Sequence, residues 1–253
     1  MLLVATVSGC ATTQYGSSTK DMSDLKTQIA IEYIKNGDVN AAKLVLDDAI
    51  QKNPNNALAY MMLGVTYQLD ATPASLKEAE KFFKKAIALD PTNAQIRNNY
   101  GQYLYIIKSY TTSINEFNIA ANSIGYSNRD SAFSNLGYTY YRLNNMELAK
   151  ASFLSALKMN PQLPDALLGL SEVYYNTGKT KESVELYTSY ANLVPLQNRD
   201  SKGLWLGIRL AHMNNQEEDK LNMINILATK YPSSEEYASY AKQSNRKDIA
   251  WSY

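Results

Sequence analysis

The chain has 253 residues, a length that suits one or two domains. Its net charge of +1 and pI near 7.6 argue against a nucleic-acid-binding protein, which would need a strongly basic face. Glycine and proline are few, at 11 and 7, and tyrosine is common, at 20, so the composition favours helices over an all-β fold.

The chain begins with a short apolar run that leads to a cysteine. The run Met1 to Val7 is far shorter than the ~20 residues that a membrane-spanning helix needs. The order Val7-Ser8-Gly9-Cys10 resembles a bacterial lipobox, in which a peptidase cuts between Gly9 and Cys10 and the thiol then carries lipid. The alternative is a buried free cysteine that packs as a small apolar residue, which a position so near the terminus disfavours.

We therefore predict that residues 1–9 are the end of a lipoprotein signal peptide. The basic start of such a signal is missing, so we expect the true start upstream. Residues 10–22 are predicted to be a lipidated tether, because residues 11–20 are small and polar. In the lipoproteins that this pattern resembles, an Asp after the cysteine favours the inner membrane, so Ala11 favours a lipid anchor, labelled by palmitate, at the periplasmic face of the outer membrane. Lipidation of Cys10 would leave no thiol for a disulfide or a metal.

The rest of the chain repeats itself every 34 to 37 residues. The segments "AYMMLGVTYQLD" at 59–70 and "AFSNLGYTYYRL" at 132–143 share Leu, a small residue and Tyr at fixed offsets. The segments "KEAEKFFKKAIALDP" at 77–91 and "ELAKASFLSALKMNP" at 147–161 share Ala, large apolar residues and a final Pro. These patterns are typical of the tetratricopeptide repeat, a pair of antiparallel helices of about 34 residues.

We predict an all-α fold: a right-handed tetratricopeptide-repeat superhelix of six helix pairs with a C-terminal capping helix. The capping helix, 234–253, would cover the apolar end of the last pair. The six repeats that make up residues 23–233 are predicted at 23–56, 57–93, 94–129, 130–163, 164–197 and 200–233.

Small residues near the middle of each first helix should let the two helices of a pair approach closely. They are Ala30, Gly64, Gly101, Gly137, Ser171 and Gly207. Glycine costs about 1 kcal/mol of helix propensity against alanine, so packing must compensate for it. Ala42, Ala79 and Ala149 are expected to serve the same purpose on the second helices. The third repeat lacks the closing proline, so we expect a looser link between the third and fourth repeats.

In tetratricopeptide arrays the first helices line a concave groove, and helical spacing selects the side chains that face it. The predicted groove is mostly apolar and aromatic, which is typical of a protein-binding surface; the alternative for each residue is packing against a neighbouring repeat. The predicted groove residues are Ile31, Ile34, Met61, Val65, Gln68, Leu69, Asn98, Gln102, Tyr105, Ile106, Tyr138, Tyr141 and Arg142. We expect an extended or helical apolar partner segment to bind there.

The sequence offers no set of residues for catalysis. The single histidine, His212, lies near the end of a predicted helix, where a solvated residue is the simplest interpretation. A Gly-rich phosphate loop and a Gly-x-Ser-x-Gly nucleophile are both absent from the sequence. We therefore predict a monomeric non-enzyme without cofactor, catalytic residues, metal or nucleic-acid partner.

A lipobox followed by six such repeats, with the text "NPNNALAYMMLGVTYQ" and "KSYTTSINEFNIAA", resembles the type IV pilus biogenesis lipoproteins of the PilF/PilW family. The resemblance implies a pilotin, which binds the pilus secretin subunit, brings it to the outer membrane and promotes its assembly into a ring, and hence supports twitching motility. Two other interpretations stay open. One is another periplasmic scaffold, such as an adaptor for a peptidoglycan hydrolase or for β-barrel assembly, and the other is an enzyme with an unrecognised site.

Overall fold

The computed structural model describes residues 18–244, and within them the chain forms thirteen α-helices, a 3-10 turn at Leu196–Asn198 and no strand. The helices are α1 Thr19–Lys35, α2 Val39–Lys52, α3 Ala57–Leu69, α4 Pro73–Leu89, α5 Ala94–Ile106, α6 Tyr110–Asn122, α7 Arg129–Arg142, α8 Met146–Met159, α9 Pro164–Asn176, α10 Thr180–Leu193, α11 Ser201–Met213, α12 Glu217–Lys230 and α13 Glu235–Ser244. Two consecutive helices fall within each predicted repeat, apart from the first residues of α1 and α7. The predicted all-α tetratricopeptide-repeat fold is confirmed.

The first helix begins earlier than expected. The Ser18 hydroxyl accepts from the Asp21 backbone N–H at 3.1 Å, and the Asp21 carboxylate accepts from the Ser18 N–H at 3.0 Å. This reciprocal capping box satisfies two backbone donors and starts α1 at Thr19. The predicted tether over 10–22 is therefore wrong from Thr19 onward. The predicted signal over 1–9 and the site at Gly9 and Cys10 lie outside the described residues.

The turn inside each helix pair contains one residue in the left-handed backbone region. Gly37 and Gly178 have φ of 80° and 75°, and non-glycine residues occupy the equivalent turns. A left-handed residue after a helix lets the chain reverse while its N–H satisfies a terminal carbonyl. The non-glycine examples are Ala71, Lys108, Asn144 and Asn215.

In the second, third and fourth pairs, a phenylalanine ring of the second helix packs on a glycine of the first helix. Fully buried phenylalanines on the second helices face the mid-helix glycines that the sequence singles out. A Cβ added at Gly64 would lie 3.0 Å from the ring of Phe83, and one at Gly137 would lie 2.6 Å from the ring of Phe153. The same relation joins Gly101 to Phe117, at 2.7 Å. Ala42, Ala79 and Ala149 are fully buried as well.

The chain divides into two compact units at Thr92 and Asn93. In the N-terminal unit, buried polar side chains join the first repeat to the second. The Asn56 amide donates to the hydroxyls of Ser23 at 2.9 Å and Thr27 at 3.2 Å, while its oxygen caps α3 by accepting from the Ala59 N–H. Because these buried groups satisfy one another, the start of α3 is fixed against α1.

In the C-terminal unit, the link between the third and fourth repeats is close-packed, so the expected looser link is wrong. Phe117 and Ala121 of α6 share a buried cluster with Ala132 and Leu136 of α7. The Arg129 Nε donates to the Ala121 carbonyl at 2.7 Å and ties the end of α6 to the start of α7. An arginine contact and apolar packing thus stabilise a junction that lacks the usual proline.

Helix α13 packs on the last helix pair, as the predicted capping helix would. Tyr237 and Tyr240 contact the apolar cluster that contains Trp205 of α11 and Ile226 of α12. No residue of α13 is itself buried. The helix ends at Ser244, and the predicted remainder to 253 lies outside the described residues.

We predict that Gly137→Leu destabilises the chain, because the new side chain would enter the space of the Phe153 ring. Overpacking typically costs about 1–3 kcal/mol, against about 1 kcal/mol gained in helix propensity. The melting temperature by circular dichroism should fall by several degrees. Ala151→Leu, at an exposed position of α8, is the control and should melt like wild type. Equal melting of the two variants would contradict the packing of the ring on the glycine.

Candidate functional site

The predicted groove residues of the N-terminal unit are not equally exposed. Ile31, Ile34, Val65 and Gln68 are half-buried and Leu69 is exposed, whereas the Met61 side chain is 1% exposed. Met61 therefore cannot present surface to a partner in this structure. The reason is that α3 packs against α1, α2 and α4 at once.

In the C-terminal unit, the predicted groove residues form contacts between successive first helices. Asn98 is buried, because its side-chain oxygen accepts from the Asn135 amide of α7 at 3.1 Å, so it too is unavailable to a partner. Gln102 and Tyr105 are half-buried, and Ile106 is exposed.

Tyr138 and Tyr141 both link α7 to α9. The Tyr138 hydroxyl donates to the Asp165 carbonyl at 2.8 Å, and its ring lies edge-on to Phe153 with centroids 5.0 Å apart. The Tyr141 hydroxyl accepts from the Asn176 amide at 2.5 Å. Each ring therefore supports the stack and still presents part of its surface to the concave side.

Helix α13 reaches this face of the C-terminal unit and contacts it through Glu235. The exposed Arg142 donates to the Tyr105 hydroxyl at 3.2 Å and pairs with Glu235 of α13 at 3.3 Å. Three helices, α5, α7 and α13, thus meet at one guanidinium. Beside it is a cavity of about 160 Å³, whose walls are formed by Tyr105, Tyr138, Tyr141 and Trp205.

Burial and acidic neighbours set the ionisation of this region. Burial raises the pKa of Tyr138 well above its ordinary value, and Asp165 and Glu172 add to the effect. The pKa of Tyr141 is also raised, by burial first and then by Glu172. Burial opposes the charged form of Arg142, but the Tyr105 hydroxyl and Glu235 outweigh it and raise the pKa of the guanidinium.

Sequence reasoning missed the part of the cavity that α11 and α13 supply. Trp205, Lys202 and Glu236 all line it, although none lies at a position that groove spacing selects. The sequence contains no signal for their proximity, since α13 is the element that brings Glu236 against repeats far away in the chain.

A second candidate surface lies on α1, on a different face from the groove. Leu25, Ile29 and Tyr33 are 54%, 41% and 37% exposed and are spaced four residues apart, so they form one apolar ridge. We call these three residues the α1 ridge.

The first helices of later repeats show what kind of contact residues at the ridge positions make. The matching residues of α7 include Ala132 and Leu136, which are buried in a cluster with residues of the preceding helix α6. In α9 they include Ala166 and Leu170, which are buried against α8. The ridge therefore has the composition of a helix–helix contact, and no helix of the described residues covers it. In the sequence, the ridge residues occupy the third, seventh and eleventh positions of the first repeat, so this spacing could have identified the ridge.

Residues 18–244 contain no group of three His, Cys, Asp or Glu residues arranged to hold a metal ion. None of the helices described there combines the length and apolar character needed to cross a membrane. His212 lies in the last turn of α11 and is half-buried.

We predict that stability falls as the pH rises above about 10, in part through Tyr138 and Tyr141. Their pKa values are higher in the folded than in the unfolded chain, so the unfolded chain loses its protons first and unfolding becomes more favourable. Each such tyrosine adds a slope of up to about 1.4 kcal/mol per pH unit in that range. Urea unfolding of wild type and of Tyr141→Phe, at about pH 8 and pH 11, should show a weaker pH dependence in the variant. The same dependence in both would contradict the assignment.

Comparison with known proteins places the chain in a family. A tetratricopeptide repeat model matches residues 27–94 and 134–198, which is just over half of the chain, and a second one matches 82–115. The chain is 28% identical over 245 residues to the type IV pilus assembly protein PilF of Pseudomonas aeruginosa, covering 94% of this chain and 95% of that one.

Two solved structures are similar along most of the chain. The structure of pilF from Pseudomonas aeruginosa has a TM-score of 0.75 at 27% identity and covers 90% of this chain and 100% of that one. The structure of PilW, a widely conserved type IV pilus biogenesis factor, has a TM-score of 0.71 at 25% identity, with coverage of 87% and 98%. The chain is thus homologous to these pilus biogenesis proteins, and it belongs to the tetratricopeptide repeat family.

Proposed function

We propose that this protein is a pilotin of type IV pilus biogenesis, a non-enzymatic scaffold that binds the pilus secretin subunit and promotes its assembly in the outer membrane. The observation that carries the proposal is the similarity to PilF and PilW along nearly the whole chain. Tetratricopeptide repeats are protein-binding scaffolds, and the specific partner is determined by surface residues.

The α1 ridge is the surface on which we place the secretin segment. A partner helix with an apolar face can pack on Leu25, Ile29 and Tyr33 as α6 packs on α7 within the C-terminal unit. Leu25 is more than half exposed, so its burial would release water from a large apolar side chain. An amphipathic helix that lays its apolar face on such a ridge is a common mode of peptide recognition.

Lipid on Cys10 would place this surface at the outer membrane. Only eight residues separate Cys10 from the start of α1 at Thr19, so an extended tether spans at most ~30 Å. The α1 ridge would then stay close to the membrane in which the secretin assembles.

We predict that Leu25→Glu and Ile29→Glu weaken binding of the purified secretin subunit while the chain stays folded. Loss of a central apolar anchor typically costs ≥ ~2 kcal/mol, or about thirtyfold in affinity, which calorimetry can measure. Leu44→Glu is the matched control, because Leu44 is an exposed leucine of the same unit outside the ridge. Wild-type affinity in both ridge variants would exclude the α1 ridge as the binding surface, and secretin binding too weak to detect in wild type would exclude the pilotin.

We also predict that Cys10→Ser leaves a folded protein that no longer fractionates with the outer membrane and no longer incorporates labelled palmitate. The physical reason is that attachment depends on acyl chains, each of which contributes about 0.8 kcal/mol per buried methylene. Unchanged fractionation and labelling would remove the lipid anchor from the proposal. A deletion strain completes the test, since a pilotin requires loss of twitching motility and of secretin multimers.

A further inference from the structure

The cavity of the C-terminal unit is lined by aromatic rings and charged side chains. We infer that it binds a basic side chain, lysine or arginine, of a partner protein segment. The inference rests on the proposed function only for the partner being a protein; the cavity itself is argued from its walls, its charges and its size.

The walls are aromatic. Four rings, from Tyr105, Tyr138, Tyr141 and Trp205, surround the cavity. The faces of such rings carry partial negative charge and attract cations that approach to within about 6 Å of the centroid. Rings gathered around a small space are therefore suited to a cationic group.

Two cationic side chains of the protein already make cation–π contacts with these rings. The Lys202 Nζ lies 4.9 Å from the centroid of the Tyr138 ring, and the Arg209 guanidinium lies 5.2 Å from that of Trp205. Cations thus lie over two of the four rings, and no described lysine or arginine lies over the ring face of Tyr105 or Tyr141.

Two of the three carboxylates at the cavity are already paired with arginines. Three carboxylates line it, from Glu172, Glu235 and Glu236, together with the cations of Arg142 and Lys202, and the Arg209 guanidinium lies over the Trp205 ring. Glu235 is paired with Arg142 at 3.3 Å, and Glu172 is paired with Arg209 at 3.2 Å.

Glu236 forms no ion pair with another described residue, and it is the carboxylate that we assign to an incoming cation. Burial raises the pKa of Tyr138, and the nearby Asp165 and Glu172 add to the effect. The ring faces that attract a cation disfavour a carboxylate.

The size fits one side chain. A volume of about 160 Å³ is below the ~300–1,000 Å³ typical of small-molecule pockets, which argues against a cofactor. Three of the lining residues, Glu235, Glu236 and Ser239, come from α13. The capping helix therefore also builds one side of the binding cavity.

The test is an NMR titration of the full chain with single-residue amides. Trp205 is one of only two tryptophans, so its indole N–H is readily assigned, and it lies in the cavity wall. N-acetyl-arginine methylamide and N-acetyl-lysine methylamide should shift that signal in a saturable way. The norleucine amide, which has a similar apolar stem without charge, and the glutamate amide should not.

Variants locate the site. Glu236→Gln should weaken binding of the arginine amide at least threefold, because it removes the available carboxylate and keeps the side-chain shape. Glu182→Gln, an exposed glutamate of α10 that does not line the cavity, is the matched control and should bind like wild type. A lack of saturable shift with both basic amides, equal binding of the norleucine amide, tighter binding of the glutamate amide, or unchanged affinity of Glu236→Gln would each overturn the inference.

This experiment contains no secretin, so its failure leaves the proposed function in place. Conversely, a chain that binds basic amides but not the secretin retains the cavity and loses the pilotin proposal.

Discussion

The architecture depends on the contact between a buried phenylalanine ring and a glycine of the facing helix. The ring of Phe153 would meet a Cβ added at Gly137 of its own pair and also one at Gly169 of the next repeat. One side chain thus spaces the two helices of a pair and joins that pair to its neighbour. Because protein interiors are close-packed, a single added methyl group at either glycine must move the ring.

The last repeats of the C-terminal unit replace this contact with tyrosines. A Cβ at Gly207 would meet the Tyr187 hydroxyl, and one at Gly203 would meet that of Tyr190. A buried hydroxyl needs a partner, and Tyr187 donates to the Gly203 carbonyl at 2.9 Å while Arg199 donates to Tyr187 at 3.2 Å.

Tyr138 and Tyr141 of α7 meet the same requirement, because their hydroxyls form hydrogen bonds with α9, the first helix of the next repeat. Abundant tyrosine therefore serves packing and leaves polar, aromatic surface on the concave side.

Stacked repeats leave apolar surface where the stacking stops, and the two units treat it differently. In the C-terminal unit, α13 covers part of the last pair through Tyr237 and Tyr240. In the N-terminal unit, the α1 ridge remains exposed among the described residues. The α1 ridge has the same residue pattern as the buried helix–helix contacts between repeats, so a partner helix can pack on it. At the covered end, α13 contributes charged side chains to the cavity of the C-terminal unit.

The sequence by itself determined the helical repeat pattern, because glycine, alanine and proline at fixed spacing report on local geometry. It also marked Gly137 as a close approach, although the ring that fills the space, Phe153, was identified only by the structure. Groove spacing included Met61 and Asn98, which the structure buries, because spacing gives the direction of a side chain but not the number of helices that pack around it. Only the tertiary structure brought Glu235 to Arg142, 93 residues away, since no local pattern records where a capping helix comes to lie.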